Sequence, residues 1–535
     1  MFANNLLLVI ILLMLVAMLS MASQKMKISY PIFLVISGLL IGMSPKGLHI
    51  SLDPDLVFII FLPPLLFEAA WNTSFSQLLK FKRSIGRLSL GLVFFTSLTV
   101  ALVAHYFIPG FGLALGFVLG GIISPPDAVA ATSVLNGLKV PSKVKAILEG
   151  ESLINDASSL VVFRFALAAV LTGQFVFWKA GASFFWIAGL GIFIGLAIAV
   201  IVYFFLRFLP TTPSIDTTIT FIFPYLAYLT AEHFDASGVL AVVSGGLLLN
   251  SKSNIMLSYN SRLQMSSVWD MMVFLMNGVI FMLIGLQLPD IIDGLGEYSL
   301  KEAIGYGLLI SLTAIIVRFF WVFPLTSFTE KVRGKFGKKY MQPFSTEWKS
   351  YFIIGWSGMR GVVSLASALY IPFKMANGDD FPHRNLILFI TFVVIFVTLV
   401  IQGLLLPFII KWLHIEVNDN SQASIGSINV LIAEQVLSFM HEKYETECEN
   451  NASFIRIRDF YNQMLEDNEE RPVVTEDAKR ENSMSKFNQL LLEIIDLKRK
   501  SLTKLRIEQT YPEYIIRNKE NELDLEEARL RKIKH

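Results

Sequence analysis

The 535 residues are 54% hydrophobic and only 16% charged, with 45 Lys plus Arg against 43 Asp plus Glu and a strongly positive mean hydropathy. A soluble chain of this length would be about one quarter charged, so an ordinary water-soluble architecture is excluded for most of the molecule. The single cysteine, Cys448, excludes an intrachain disulfide and any cysteine-based metal site.

The charge is unevenly placed. Residues 1–413 form a series of long apolar stretches joined by short polar loops, whereas residues 414–535 are dense in charge and lack such stretches. The second part carries 18 basic and 24 acidic residues, a net charge of −6, which leaves +8 on the first. We read a membrane domain over 1–413 and a soluble, regulatory tail over 414–535. Basic excess on a membrane part is a topology signal rather than a sign of nucleic-acid binding.

In chain order, the first apolar stretch runs from Asn5 to Ala22. It has no basic lead-in or small-x-small cleavage pattern, and many spans follow, so it reads as a membrane helix rather than a signal peptide. The length needed to cross a hydrocarbon core, about 20 residues, places helices near 5–23, 28–43, 55–71, 87–108, 111–135, 146–172 and 181–208. Others fall near 216–232, 236–250, 266–289, 301–327, 351–373 and 385–413, which makes about thirteen.

With the N-terminus outside, the inner loops collect Lys25, Lys27, Lys80, Lys82, Arg83, Arg87, Lys139, Lys143 and Lys145. They also hold Arg207, Lys252, Arg262, Lys331, Arg333, Lys335, Lys338, Lys339 and Lys349. Only Lys46, Lys179, Lys301, Lys374 and Arg384 lie outside. A split of 18 to 5 favours this orientation and a cytoplasmic tail.

Seven ionisable residues fall inside the expected spans: Glu68, Asp127, Glu151, Asp156, Arg164, Arg318 and Arg360. Each costs about 2.5–3.5 kcal/mol at a helix centre, so they must pair, meet water or take up protons. They are either functional or interhelical ion pairs that fix packing. Arg164 either pairs with an acidic neighbour or snorkels outward.

The segment Gly120-Gly-Ile-Ile-Ser-Pro-Pro-Asp-Ala-Val-Ala130 should interrupt its helix, because Pro125 and Pro126 lack a backbone N–H. Such breaks survive in a bilayer only where protein or a water-filled cavity satisfies the freed groups, and transporters use them as binding sites. Asp127 follows the break, at the start of the second half-helix. In the next span Ser152, Asn155, Asp156 and Ser159 fall at i, i+3, i+4 and i+7, on one face. That oxygen-rich stripe suits a hard cation or a buried polar seam, and lacks the sulfur and imidazole that zinc or copper would want. A second interruption is expected at Trp356-Ser-Gly-Met-Arg-Gly-Val-Val363, where Gly355, Gly358 and Gly361 surround Arg360. Close helix packing through those glycines is the other reading.

At these positions the sequence resembles the sodium/proton exchanger branch of the monovalent cation/proton antiporters, bacterial type with a cytoplasmic tail. Four segments carry the likeness: Leu62-Pro-Pro-Leu-Leu-Phe-Glu68, Pro126-Asp-Ala-Val-Ala130, Gly150-Glu-Ser-Leu-Ile-Asn-Asp156 and Gly358-Met-Arg-Gly-Val-Val-Ser364. The resemblance implies an all-α polytopic fold with inverted repeats, two broken crossing helices and a helical tail. It also implies a homodimer in the cell membrane, contributing to pH homeostasis, with sodium (or lithium or potassium) and protons as substrates.

In that scheme Asp156 and Asp127 form the monovalent cation site, with Ser152 and the backbone at Pro126 assisting. Glu151 pairs with Arg318, Asn155 and Arg360 hold the broken helices, and Glu68 lies near the cation path. A neutral Asn155 implies one cation per proton, hence electroneutral exchange. Pro126 stands where many relatives have Thr, which removes a side-chain ligand but not the backbone ones. No cofactor beyond the transported ions is implied. A passive cation channel is the rival function; the tail shows no nucleotide loop, metal cluster or catalytic triad, and no legible ligand.

Overall fold

The computed structural model describes residues 2–26, 28–44, 54–73, 75–135, 138, 140–173, 177–296, 298–335, 344–375, 378–414, 421–467, 481–508 and 511–532. Of the basic residues that set the topology, Lys27, Lys46, Lys139, Lys338 and Lys339 lie outside the described residues.

The chain opens with α1 (Phe2–Met26), α2 (Tyr30–Gly42) and α3 (Pro54–Asn72). α4 (Phe75–Gly86) runs through a π-helical turn (Arg87–Leu92) into α5 (Val93–Phe107). α6 (Leu113–Ile123) and α7 (Ala128–Leu135) are the halves of one interrupted helix. Then follow α8 (Ser142–Thr172), α9 (Phe177–Phe208), α10 (Pro213–His233), α11 (Gly238–Met256), α12 (Tyr259–Leu286) and the short α13 (Leu288–Asp293). α14 (Leu300–Lys335) precedes the second interrupted helix, α15 (Phe344–Trp356) and α16 (Val362–Leu369). α17 (Arg384–Phe396) continues through another π-helical turn (Val397–Ile401) into α18 (Gln402–Trp412). The last four helices are α19 (Ser421–Asn450), α20 (Ala452–Asp467), α21 (Glu481–Glu508) and α22 (Glu513–Lys532).

Each stretch expected from the sequence is helical, but several begin earlier. The span expected at 87 starts at Phe75, that at 266 starts at Tyr259, and that at 351 starts at Phe344. A rule that counts apolar residues stops where polar side chains begin, while helices extend into the polar region for further turns. Among the described residues nine helices are long and apolar enough to cross a membrane, and two shorter apolar ones are Tyr30–Gly42 and Ile59–Asn72. The molecule is a multi-pass membrane protein.

By packing, the chain divides into two units: Met1–Met256 with Ser266–Ile415, and Leu257–Met265 with Glu416–His535. Within the first, two sets of helices are distinguishable. α4 to α8 pack with α14 to α18, α6 lying between α5 and α8, and α14 against α5, α15 and α17. In the other set α11 packs on α3, α9 and α10. α2 crosses α12 where Gly38 and Gly42 meet the backbone of Met282, Gly285 and Leu286, an approach that a side chain would block.

The second unit has its own apolar core, including Ile432, Val436, Phe454, Ile457, Leu490, Ile494 and Ile516. Beside it Asp524 accepts from Arg262 Nε at 2.8 Å and from Arg499 Nη2 at 2.6 Å, and Arg499 also meets Glu527 at 2.6 Å. Burial opposes the charge on Arg499, but Glu527 and Asp524 outweigh it and raise its pKa above the usual arginine range.

A Cβ on Gly285 would run into the backbone of Val35, Gly38 and Leu39. Gly285→Val should therefore cost about 1–3 kcal/mol by overpacking, read as a lower midpoint of thermal unfolding in detergent, while Leu286→Met should leave the midpoint nearly unchanged.

Candidate functional site

Two interruptions build the site. Pro125 and Pro126 cannot donate to the turn before them, so α6 stops at Ile123 and α7 starts at Ala128. Ser357 to Gly361 separate α15 from α16. The breaks meet directly: the Asp127 backbone N–H donates to the Met359 carbonyl at 2.6 Å.

One carboxylate serves both half-helices that begin here. Asp127 Oδ1 accepts from the N–H groups of Val129 at 2.8 Å and Ala130 at 3.2 Å, in the first turn of α7. Its Oδ2 accepts from the Val362 N–H at 3.3 Å, at the first residue of α16. Unpaired N–H groups and the positive end of the helix dipole favour an anion at each place. Gly361 has no side chain where one would overlap this carboxylate.

One cation serves both half-helices that end here. Arg360 Nε donates to the Ile123 carbonyl at 3.0 Å, the last residue of α6, and another of its N–H groups donates to the Gly358 carbonyl just beyond α15. Its backbone N–H donates to Thr398 Oγ1 at 3.0 Å, and Thr398 lies in the second π-helical turn. Arg360 is buried.

α8 runs beside the first break. Ser152 Oγ accepts the Ala128 N–H at 3.2 Å, and Asn155 Nδ2 reaches the Pro126 carbonyl at 3.5 Å. Ser159, the last residue of the polar stripe, turns its hydroxyl onto the Asp156 carbonyl of its own helix at 2.9 Å. Asp156 lies within electrostatic range of Asp127 and is 8% accessible. Among the described residues no donor lies within hydrogen-bonding distance of its carboxylate. Asp127, Ala128, Val129, Thr132 and Ser133 are partly accessible, whereas Val134 and Leu135 at the end of α7 are buried.

Glu151 points elsewhere. Five residues on a helix turn the direction by about 140°, and Glu151 meets Arg318 in a two-pronged pair at 2.6 and 2.8 Å, both residues 1% exposed. Arg318 also donates to the Ile354 carbonyl of α15 at 3.0 Å. Glu68, on α3, accepts from Asn72 one turn on. Tyr30 stands within electrostatic range of both Glu68 and Asp127.

Arg164 takes the first of its two expected options. Its Nη2 lies 2.8 and 2.7 Å from the two oxygens of Glu232 on α10. Sequence reasoning missed Glu232; a list of acids at span ends, set against the unmatched arginines, would have found it. Thr398 was also missed, and a threonine in an apolar span gives no separate signal.

Comparisons with known proteins bear on the family and the fold. Residues 10–412 match the family described as sodium/hydrogen exchanger, transmembrane. The chain is 36% identical over 390 residues to a sodium, potassium, lithium and rubidium/H(+) antiporter of Bacillus pumilus, covering 71% of this chain and 57% of that one. It therefore spans little more than half the length of that relative. It is 31% identical to a low-affinity Na(+)/H(+) antiporter of Synechocystis, over 74% of this chain and 71% of that one. The solved structure of a sodium proton antiporter from Methanocaldococcus jannaschii superposes with a TM-score of 0.60 at 20% identity, covering 77% of this chain and 99% of that one, which establishes the shared fold.

Glu151→Gln would leave the Arg318 guanidinium buried without its counter-charge, a loss of about 3–5 kcal/mol. The expected result is poor assembly or a sharply lowered thermal midpoint in detergent, with Glu68→Gln as a mild control.

Proposed function

The chain belongs to the sodium/hydrogen exchanger family, and on that premise we propose that it exchanges sodium for protons by alternating access, with Asp156 as the group that carries either ion. The observation that carries this reading is the uncommitted state of one carboxylate among three. Glu151 is held by Arg318 and Asp127 by three backbone N–H groups, whereas Asp156 has no donor among the described residues. A lone carboxylate in a poorly solvated place is costly, and either a proton or a cation removes that cost. The two ions therefore compete for one position.

Oxygen ligands are at hand for a monovalent cation: Ser152, the free Oδ1 of Asn155 and backbone carbonyls at the break near Pro126. Asp127 contributes charge from a fixed position, and Glu68 lines the approach. Neutral Asn155 beside Asp156 supports one cation per proton and hence electroneutral exchange. Lithium and potassium would use the same oxygens, which accords with the ions named for the Bacillus relative. An empty, charged site crosses the membrane poorly, so the loaded forms dominate turnover.

In this reading the protein works in the cell membrane as a homodimer among membrane lipids, serving pH homeostasis. Its N-terminus is outside and residues 414–535 form a cytoplasmic regulatory tail. The excess of Lys and Arg in the inner loops supports that orientation.

Two measurements in sealed proteoliposomes test the assignment. Asp156→Asn should abolish proton movement driven by sodium, lithium or potassium while the protein still assembles; retained exchange would remove Asp156 from the mechanism. In the unaltered protein, competition means that the apparent KM for sodium rises as pH falls, approaching about tenfold per pH unit once the proton-bound form dominates. A sodium KM indifferent to pH between 6 and 9 (about three units) would show that the two ions do not share a site.

A further inference from the structure

Arg164 and Glu232 form an ion pair in the membrane part that the exchange site does not use. From their geometry we propose that they form a latch, closing the end of the cation path opposite α7 and breaking once in each transport cycle. The proposal deepens the exchange reading and rests on it.

Four observations lead there. First, Arg164 is two turns after Asp156 on the uninterrupted α8, so whatever displaces Asp156 displaces Arg164. Second, Glu232 belongs to the other set of helices, in the last turn of α10, which packs on α9, α11 and α3. The carboxylate is held in place there, because its Oε1 also accepts the Gly238 N–H at 3.2 Å, at the start of α11. A Cβ on Gly238 would strike Tyr228 and Glu232, so this corner is tightly built. The pair thus ties the helix that bears the exchanging acid to a helix of the opposite set.

Third, the two ends of the site differ. Along α7, Ala128, Val129, Thr132 and Ser133 are partly accessible, and Ser133 Oγ meets Ser29 Oγ, just before α2, in a neutral hydroxyl pair at 2.9 Å. At the other end Ser364 to Leu369 of α16 are buried and the contact is ionic. Fourth, Arg164 and Glu232 are 38% and 29% exposed, unlike the sealed Glu151–Arg318 pair. A partly exposed ion pair is weak, so this pair can open and close within a turnover. A staple meant to stay shut would be buried.

A latch on one end makes a specific kinetic demand. Weakening it enlarges the fraction of molecules open at the Arg164 end, and apparent affinity scales with the fraction of the competent state. Sodium KM measured from the Arg164 face should therefore fall while KM from the opposite face rises, each by about two- to fivefold. Loss of packing alone would move both in one direction or lower the rate with neither.

The test uses the full chain reconstituted with known sidedness, comparing the unaltered protein with Arg164→Gln, Glu232→Gln and the exchanged pair Arg164→Glu/Glu232→Arg. Opposed KM shifts in both single variants, reversed in the exchanged pair, are the expected result. KM values that stay put, move together, or fail to recover in the exchanged pair overturn the latch. If the unaltered protein moves no protons on addition of sodium, lithium or potassium, the exchange reading itself falls, which is a different outcome from exchange with an unchanged KM ratio. Should either single variant assemble poorly, Glu232→Asp, which keeps the charge and shortens its reach, should shift the two KM values in the same opposed sense.

Discussion

Two helix ends of each polarity meet in the middle of this membrane protein, and one side chain answers each polarity. Asp127 accepts from the first turns of α7 and α16, and Arg360 donates to the last carbonyls of α6 and to Gly358 beyond α15. Four half-helices would otherwise leave unsatisfied N–H and C=O groups in a medium with no water to take them. Placing a unit charge at each convergence satisfies the backbone and balances the dipoles together. The prolines and glycines that look like helix defects are what permit this crossing. Everything else about the site is arranged around it: α8 lies against the first break through Ser152 and Asn155, and the second break is held by Thr398.

From that arrangement comes a division of labour among acids of the same chemical type. Glu151 is sealed against Arg318 and binds α8 to α14; Asp127 is saturated by backbone donors. Both carboxylates are already held by fixed partners. Asp156 is one turn beyond Ser152 on the same helix, yet among the described residues no donor reaches its carboxylate. The exchange proposed here needs this kind of incompleteness, since a carboxylate already satisfied by the protein gains little from either ion.

The legible and illegible parts of this molecule divide on physical grounds. Apolar length marks the spans, and Pro125, Pro126, Gly358 and Gly361 mark the breaks, because those residue types act locally on the backbone. The buried charges stand out because a bilayer makes them costly. Helix starts were misjudged at Phe75, Tyr259 and Phe344, where the helix extends beyond its apolar part and hydropathy loses sight of it. Partners set by tertiary packing were harder still. That Asp127 caps two helices, one of them more than 230 residues away, cannot be read from spacing. Glu232 could have been shortlisted as an acid at a span end, but its pairing with Arg164 is set by packing.

The π-helical turns at Arg87–Leu92 and Val397–Ile401 occupy comparable places, one in the helix before the first broken pair and one in the helix after the second. An indole N–H from a neighbouring helix meets the backbone at the start of the first turn and just after the second: Trp321 on the Arg87 carbonyl at 3.1 Å, and Trp356 on the Gln402 carbonyl at 3.0 Å. A wide turn holds one residue more than a regular one needs. Excising a single residue there would let the helix close normally and rotate all that follows by roughly 100°. Trp321 and Trp356 would lose their acceptors, and the faces of α5 and α18 would turn away from their neighbours. Residue number in these two helices is thus constrained more tightly than side-chain identity: apolar exchanges keep the register, and a one-codon gap destroys it.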